Sequence, residues 1–97
     1  MTAADLARSA TTDSTPPPDL SEEALALWYS KKGDWHRAHD IAQEIHTPMG
    51  SWIHALLHVE EGDQWNADYW FSKAGKISRK PAQLPALWDE IANAVLA

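Results

Sequence analysis

Residues 51–75, SWIHALLHVEEGDQWNADYWFSKAG, hold half of the six tryptophans and the only convincing histidine pair in the chain. Between residues 52 and 59 nearly every position is apolar, which is typical of a helix buried on more than one side. Gly62 and Asp63 predict a left-handed helix cap followed by the N-cap of a second helix. That second helix carries an apolar stripe of Ala67, Trp70, Phe71 and Ala74 before Gly75. The stretch therefore predicts an antiparallel helical hairpin.

The same hairpin pattern occurs once before, 29 residues upstream, where Gly33 and Asp34 correspond to Gly62 and Asp63. Alanines recur seven residues before and five residues after each glycine, at Ala26, Ala55, Ala38 and Ala67. Over roughly residues 20–75 this arrangement resembles the tetratricopeptide repeat (TPR), whose period is about 34 residues. It departs from that pattern by its shorter period and by the absence of a closing proline. The resemblance implies a TPR-like array of helical hairpins.

The second hairpin also resembles a group of small uncharacterised bacterial proteins. These share a Trp-x-His-Ala-x-Leu-His stretch followed by Glu-Gly-Asp and Asn-Ala-x-Tyr-Trp. The matching positions are Trp52, His54, Ala55, Leu57, His58, Glu61, Gly62, Asp63, Asn66, Ala67, Tyr69 and Trp70. This resemblance implies relatives but no particular activity.

Composition limits the classes of protein to consider. A chain of 97 residues with 44% hydrophobic content is expected to form one domain. It contains no cysteine, which excludes disulfides and thiolate metal sites. Its net charge of -6 argues against nucleic acid or an anionic membrane as a partner. No stretch has the pattern of a membrane span or a secretion signal, so we expect a cytoplasmic protein.

The order along the chain predicts a disordered N-terminal tail and a single α-helical domain. Residues 1–18 are rich in Ala, Ser, Thr and Pro, which predicts the tail, and residues 19–97 form the predicted domain. Asp19 and Glu22 have the spacing of a capping box at the start of the first helix. Further helix starts are expected at Asp34, at Pro48 after Thr47, and near Pro85. The predicted fold is all-α, with five helices in a TPR-like array of antiparallel hairpins and a C-terminal capping helix.

The last predicted helix is amphipathic, as expected of an element that closes a helical stack. Its apolar side consists of Leu84, Leu87, Trp88, Ile91, Ala94 and Val95.

A polar strip on the first helix of the second hairpin is the best candidate for a metal site. His54 and His58 are four residues apart and Glu61 follows three later, so these side chains project from one face. Imidazoles at this spacing can share a divalent transition metal, with a carboxylate as a third ligand. A further ligand such as His39 would have to come from another helix. The alternative, which the sequence alone favours, is that both histidines are hydrogen-bonded structural residues and no cofactor is bound.

The strip is not a zinc-protease motif. In HALLH, residues 54–58, Ala55 stands where that motif requires a glutamate as general base. No other arrangement of catalytic residues is recognisable, so no catalytic residue is assigned.

Trp65, Asn66 and Tyr69 form the second candidate ligand-binding group. Trp65 and Tyr69 are spaced four apart on the side of their helix away from the apolar stripe. If uncovered, they form an aromatic binding surface. The interpretation favoured by the number of tryptophans in so short a chain is that they belong to the core.

Three functions are compatible with these patterns. The leading hypothesis is a non-enzymatic binding or adaptor module of the helical-repeat type, acting on a protein or small ligand. The second is a metal- or small-ligand-binding protein, conceivably an enzyme, centred on the histidine strip. The third is a homodimer that covers a tryptophan-rich face.

Overall fold

The structure, a computed structural model, describes all 97 residues and contains six α-helices and no strand. The prediction of an all-α protein is confirmed, but there are six helices where five were expected. The helices are α1 (Ala3–Thr12), α2 (Glu22–Lys32), α3 (Trp35–Ala42), α4 (Pro48–Glu60), α5 (Gln64–Ala74) and α6 (Leu84–Leu96), with a short 3-10 turn at Pro81–Gln83 before α6. None of them combines the length and apolar character needed to cross a membrane.

The additional helix, α1, lies within the segment 1–18 that was predicted to be disordered, and this prediction is wrong for most of that segment. The helix begins with a capping box: Thr2 Oγ1 accepts from the backbone N–H of Asp5, and the Asp5 carboxylate accepts from that of Thr2. Trp28 Nε1 also donates to Ser9 Oγ over 3.0 Å. The buried stripe of α1 consists of Ala3, Leu6 and Ala10. Its small residues give a weak hydropathy signal but allow close packing.

The start of α2 also differs from the prediction. Asp19 does not cap the helix but lies in a turn with a φ of +65°. The N-cap is Ser21, whose side chain accepts from the backbone N–H of Ala24. Ser21 directly precedes the first residue of α2, so its side chain reaches the free N–H groups of the first turn.

Two nearly identical turns join α2 to α3 and α4 to α5. Gly33 and Gly62 have φ values of +94° and +85°, a backbone conformation that favours glycine. Asp34 and Asp63 follow as N-caps, as predicted, and each backbone N–H reaches back 2.9 Å to a carbonyl of the preceding helix. The four repeated alanines, Ala26, Ala38, Ala55 and Ala67, are all fully buried. The repeated sequence pattern therefore produces two hairpins with matching turns.

Helix α4 forms the centre of the protein. Nine of its 13 residues are buried, and it packs against α2, α3, α5 and α6. As predicted, Thr47 caps it and Pro48 occupies its first turn. Because α4 is enclosed by other helices, its two histidines are held inside the protein.

Helix α6 packs mainly on α4, α2 and α1. Leu87, Trp88 and Ile91 are buried as predicted, whereas Ala94 is exposed and does not belong to the core face. Trp88 is 3% exposed, and its Nε1 donates to the carbonyl of Leu27 over 3.1 Å.

Candidate metal centre

Three histidines from α3 and α4 lie close together where these two helices pack against each other. His54 and His58 lie one turn apart on α4 and are 6% and 5% exposed. Half-buried His39 reaches them from α3, with its Nε2 3.0 Å from Nε2 of His54. One nitrogen of each imidazole lies within 4.8 Å of the other two. The structure thus brings His39 to the histidine pair, where the sequence required an additional ligand.

Glu61 has a different position from the one expected of a ligand. Its Oε1 accepts a hydrogen bond from Nδ1 of His58 over 2.6 Å. Because a carboxylate oxygen accepts, the proton of this bond lies on Nδ1, which leaves Nε2 as the nitrogen available to a metal. Glu61 therefore orients a ligand rather than supplying a third one.

Tryptophan rings enclose the histidines on two sides. The indole of Trp35 stacks on His39 with ring centres 4.8 Å apart, and that of Trp70 stacks on His54 at 3.9 Å. Trp35 is fixed by a 2.6 Å hydrogen bond from its Nε1 to the carbonyl of Leu57 in α4. The sequence pattern placed Trp70 only in the apolar stripe of its helix. The four-residue spacing of Trp35 and His39 was the available signal that they act together.

This environment opposes protonation. Burial, followed by the proximity of His39 and His58, lowers the pKa of His54 from 6.5 to about 4. Burial also lowers the pKa of His39, assisted by the nearby His58. At neutral pH the imidazoles of His39 and His54 are therefore uncharged, which is the state that binds metal ions.

The hydrogen bonds within the cluster leave much of its binding capacity unused. Three imidazoles carry six ring nitrogens, and the two hydrogen bonds of the cluster engage three of them. The remaining nitrogens are Nδ1 of His39, Nδ1 of His54 and Nε2 of His58. A purely structural role, which the sequence favoured, would require only these two hydrogen bonds and would give the three remaining nitrogens no purpose.

The distances are close to those of a metal centre. Two nitrogens bound tetrahedrally to zinc at about 2.0–2.1 Å lie about 3.3 Å apart. The Nε2 atoms of His39 and His54, at 3.0 Å, are near that separation. Because no pair of these ligand atoms is more than 4.8 Å apart, the others need to shorten by at most about 1.5 Å, which side-chain rotation can supply.

A second group, His58, Glu61 and Asp63, is also close enough to share an ion. Both carboxylates are already engaged. That of Glu61 accepts from His58, and that of Asp63 caps α5 by accepting from the N–H of Asn66. Both acidic residues are also exposed. This group is therefore explained by helix capping and by the orientation of His58.

The aromatic candidates on α5 are exposed, and Tyr69 packs edge-on against Trp70 with ring centres 5.3 Å apart. Trp65 is 85% exposed and Tyr69 is 54% exposed, so the favoured prediction that they belong to the core is wrong. Asn66 is half-buried beside them.

Comparison of the chain with protein-family models, with curated proteins and with solved structures gives no match. The function must therefore be inferred from the geometry of its own residues.

Proposed function

We propose that this protein binds a divalent transition-metal ion through Nε2 atoms of His39, His54 and His58. The supporting observation is the convergence of three imidazoles from two helices within 4.8 Å, with two of them buried. Imidazole is a preferred ligand of zinc, copper and nickel. A carboxylate bonded to the second nitrogen of a ligating histidine is the usual outer support of such sites, and Glu61 occupies that position for His58.

The cost of the cluster supports a functional role. Burying imidazoles against one another makes their protonation unfavourable, as the lowered pKa of His54 indicates. Titratable groups whose pKa is strongly shifted by burial and by neighbouring groups occur preferentially at functional sites. A metal ion would convert the unused nitrogen of His58 and the shared nitrogens of the other two residues into strong bonds. Three protein ligands leave a fourth position for water, and we assign no catalytic group.

Calorimetric titration of chelator-treated protein with Zn²⁺, Ni²⁺ and Cu²⁺ at neutral pH tests this proposal. We expect one site per chain. Replacing any of the three histidines with alanine should abolish binding, because only two ligands would remain. Glu61→Gln should weaken binding by about 10–100-fold, the usual effect of losing an outer-shell carboxylate.

His36→Ala is the matched control, since His36 is an exposed histidine of α3 outside the cluster. This variant should bind metal like the wild-type protein. Wild-type binding no tighter than about millimolar, worth only about 4 kcal/mol, would contradict a metal site. Equal loss in His36→Ala would indicate nonspecific binding and would also contradict it.

The exposed Trp65 and Tyr69 support a second candidate function, a non-enzymatic binding module with a TPR-like pair of hairpins. Their indole and phenol rings form an uncovered aromatic surface on α5. A second copy of the chain is the simplest partner for such a surface. Sedimentation velocity should then show a dimer that Trp65→Ser converts to a monomer. A wild-type monomer at high concentration would contradict this form of the hypothesis.

A further inference from the structure

A cavity of about 320 Å³ opens beside His54, between the end of α3, the start of α4 and α5. Its lining includes Ser51, His46 and Lys73 and contains no aspartate or glutamate. This is notable in a chain with a net charge of -6. The N-terminal end of α4, which carries a partial positive charge, also lines it. The cavity therefore favours an anion.

The donors in this cavity lack acceptors from the protein. Lys73 lies 5.3 Å from the ring centre of Trp70 but makes no ion pair. The Ser51 hydroxyl and Nδ1 of His54 make no hydrogen bond within the protein. The only fully buried side-chain nitrogen or oxygen without a partner is Oε1 of Gln64, so Nδ1 of His54 remains accessible. His54 is one of the residues that line this cavity.

A metal on Nε2 of His54 would place the remaining proton of this imidazole on Nδ1. Ligating histidines nearly always donate this second N–H to a carboxylate, a carbonyl or water. His58 has Glu61 for this purpose. Half-buried His39 can use solvent water. Of the three histidines, only His54 combines deep burial and an unpaired Nδ1 with a place in the lining of a cavity that also contains a lysine.

We propose that this cavity binds a small oxyanion, a carboxylate or a phosphate, which accepts from Nδ1–H of His54 and pairs with Lys73. The anion would occupy for His54 the position that Glu61 occupies for His58. The anion would stabilise the form of His54 that carries its proton on Nδ1, which is the form that binds a metal through Nε2. Each ligand would therefore increase the affinity for the other, and by the same factor, because a free energy of coupling acts equally in both directions. This inference rests on the proposed metal site.

Titration of isotope-labelled protein with sodium acetate, followed by NMR of the histidine nitrogens, measures this coupling. We expect acetate to bind at least about fivefold more tightly to the protein carrying one Zn²⁺ per chain than to the metal-free protein. The Nδ1 proton of His54 should shift on binding. A parallel titration with inorganic phosphate distinguishes the two sources: a stronger response to acetate assigns the site to carboxylic acids, and a stronger response to phosphate assigns it to phosphate compounds.

Lys73→Gln should remove the acetate response while leaving zinc affinity in the absence of anions unchanged. Lys80→Gln, which changes an exposed lysine outside the cavity, is the matched control and should behave like the wild type. Equal acetate affinity with and without zinc, or an unchanged response in Lys73→Gln, would overturn the anion site alone. Failure of the wild-type protein to bind zinc would overturn the metal site and the coupling together.

Discussion

Replacing Trp88 with alanine is expected to lower the free energy of unfolding by about 3–5 kcal/mol, the usual cost of truncating a buried aromatic side chain. Trp88 is 3% exposed on the core face of α6. Its indole N–H also satisfies the carbonyl of Leu27 in α2, over 3.1 Å. The substitution would therefore leave a cavity between three helices and remove a buried hydrogen bond. Urea denaturation followed by circular dichroism measures the effect.

Trp65→Ala provides a control with the same chemical change. Because Trp65 is 85% exposed, its removal should alter the free energy of unfolding by no more than about 0.5 kcal/mol. A change of only a few tenths of a kcal/mol for Trp88→Ala would place that ring on the surface and contradict the packing of α6.

Acidification of the metal-free protein should cost about 3 kcal/mol of stability through His54. The pKa of His54 is lowered from 6.5 to about 4 in the folded protein. As the pH falls through this window, the unfolded chain takes up a proton that the folded protein does not bind. The contribution of His54 is thus complete above pH 6.5 and is lost as the pH approaches 4. The lowered pKa of His39 acts in the same direction.

Comparison with His54→Gln isolates this effect, because glutamine does not titrate. In chelator, the wild-type protein should lose about 3 kcal/mol more than the variant between pH 7 and pH 4. Burial raises the pKa of Glu60, bonded to Ser30, to about 7, which has the opposite effect on stability. Because Glu60 is common to both proteins, its contribution cancels in this comparison. Parallel stability curves would show that His54 titrates normally.

Local sequence patterns were sufficient for the hairpins. Gly33 and Gly62 locate the turns because a turn of this kind needs a positive φ, which glycine adopts readily. Asp34 and Asp63 cap the helices that follow. These interactions involve only neighbours in the chain. Helix α1 was missed because its burial depends on distant partners. Leu6 is fully buried in the common core. The Ser9 hydroxyl accepts a hydrogen bond from Trp28, which is 19 residues away in the chain.

The candidate site was predictable only within one helix. The spacing of His54 and His58 follows from helical geometry, whereas the approach of His39 depends on how α3 packs on α4. The same limit explains Trp65 and Tyr69. Helix α6 packs on α4, α2 and α1 and does not cover these rings on α5. Helical periodicity locates the two faces of α5 but does not determine which face another helix covers.

The most direct test of the metal site is an anomalous difference map, measured at the zinc absorption edge, from crystals of protein loaded with one Zn²⁺ per chain. We predict one peak at about 2.0–2.1 Å from a ring nitrogen of each of His39, His54 and His58. Glu61 should remain bonded to His58 Nδ1. No peak at the three imidazoles, or a peak bonded instead to Glu61 and Asp63, would contradict the account.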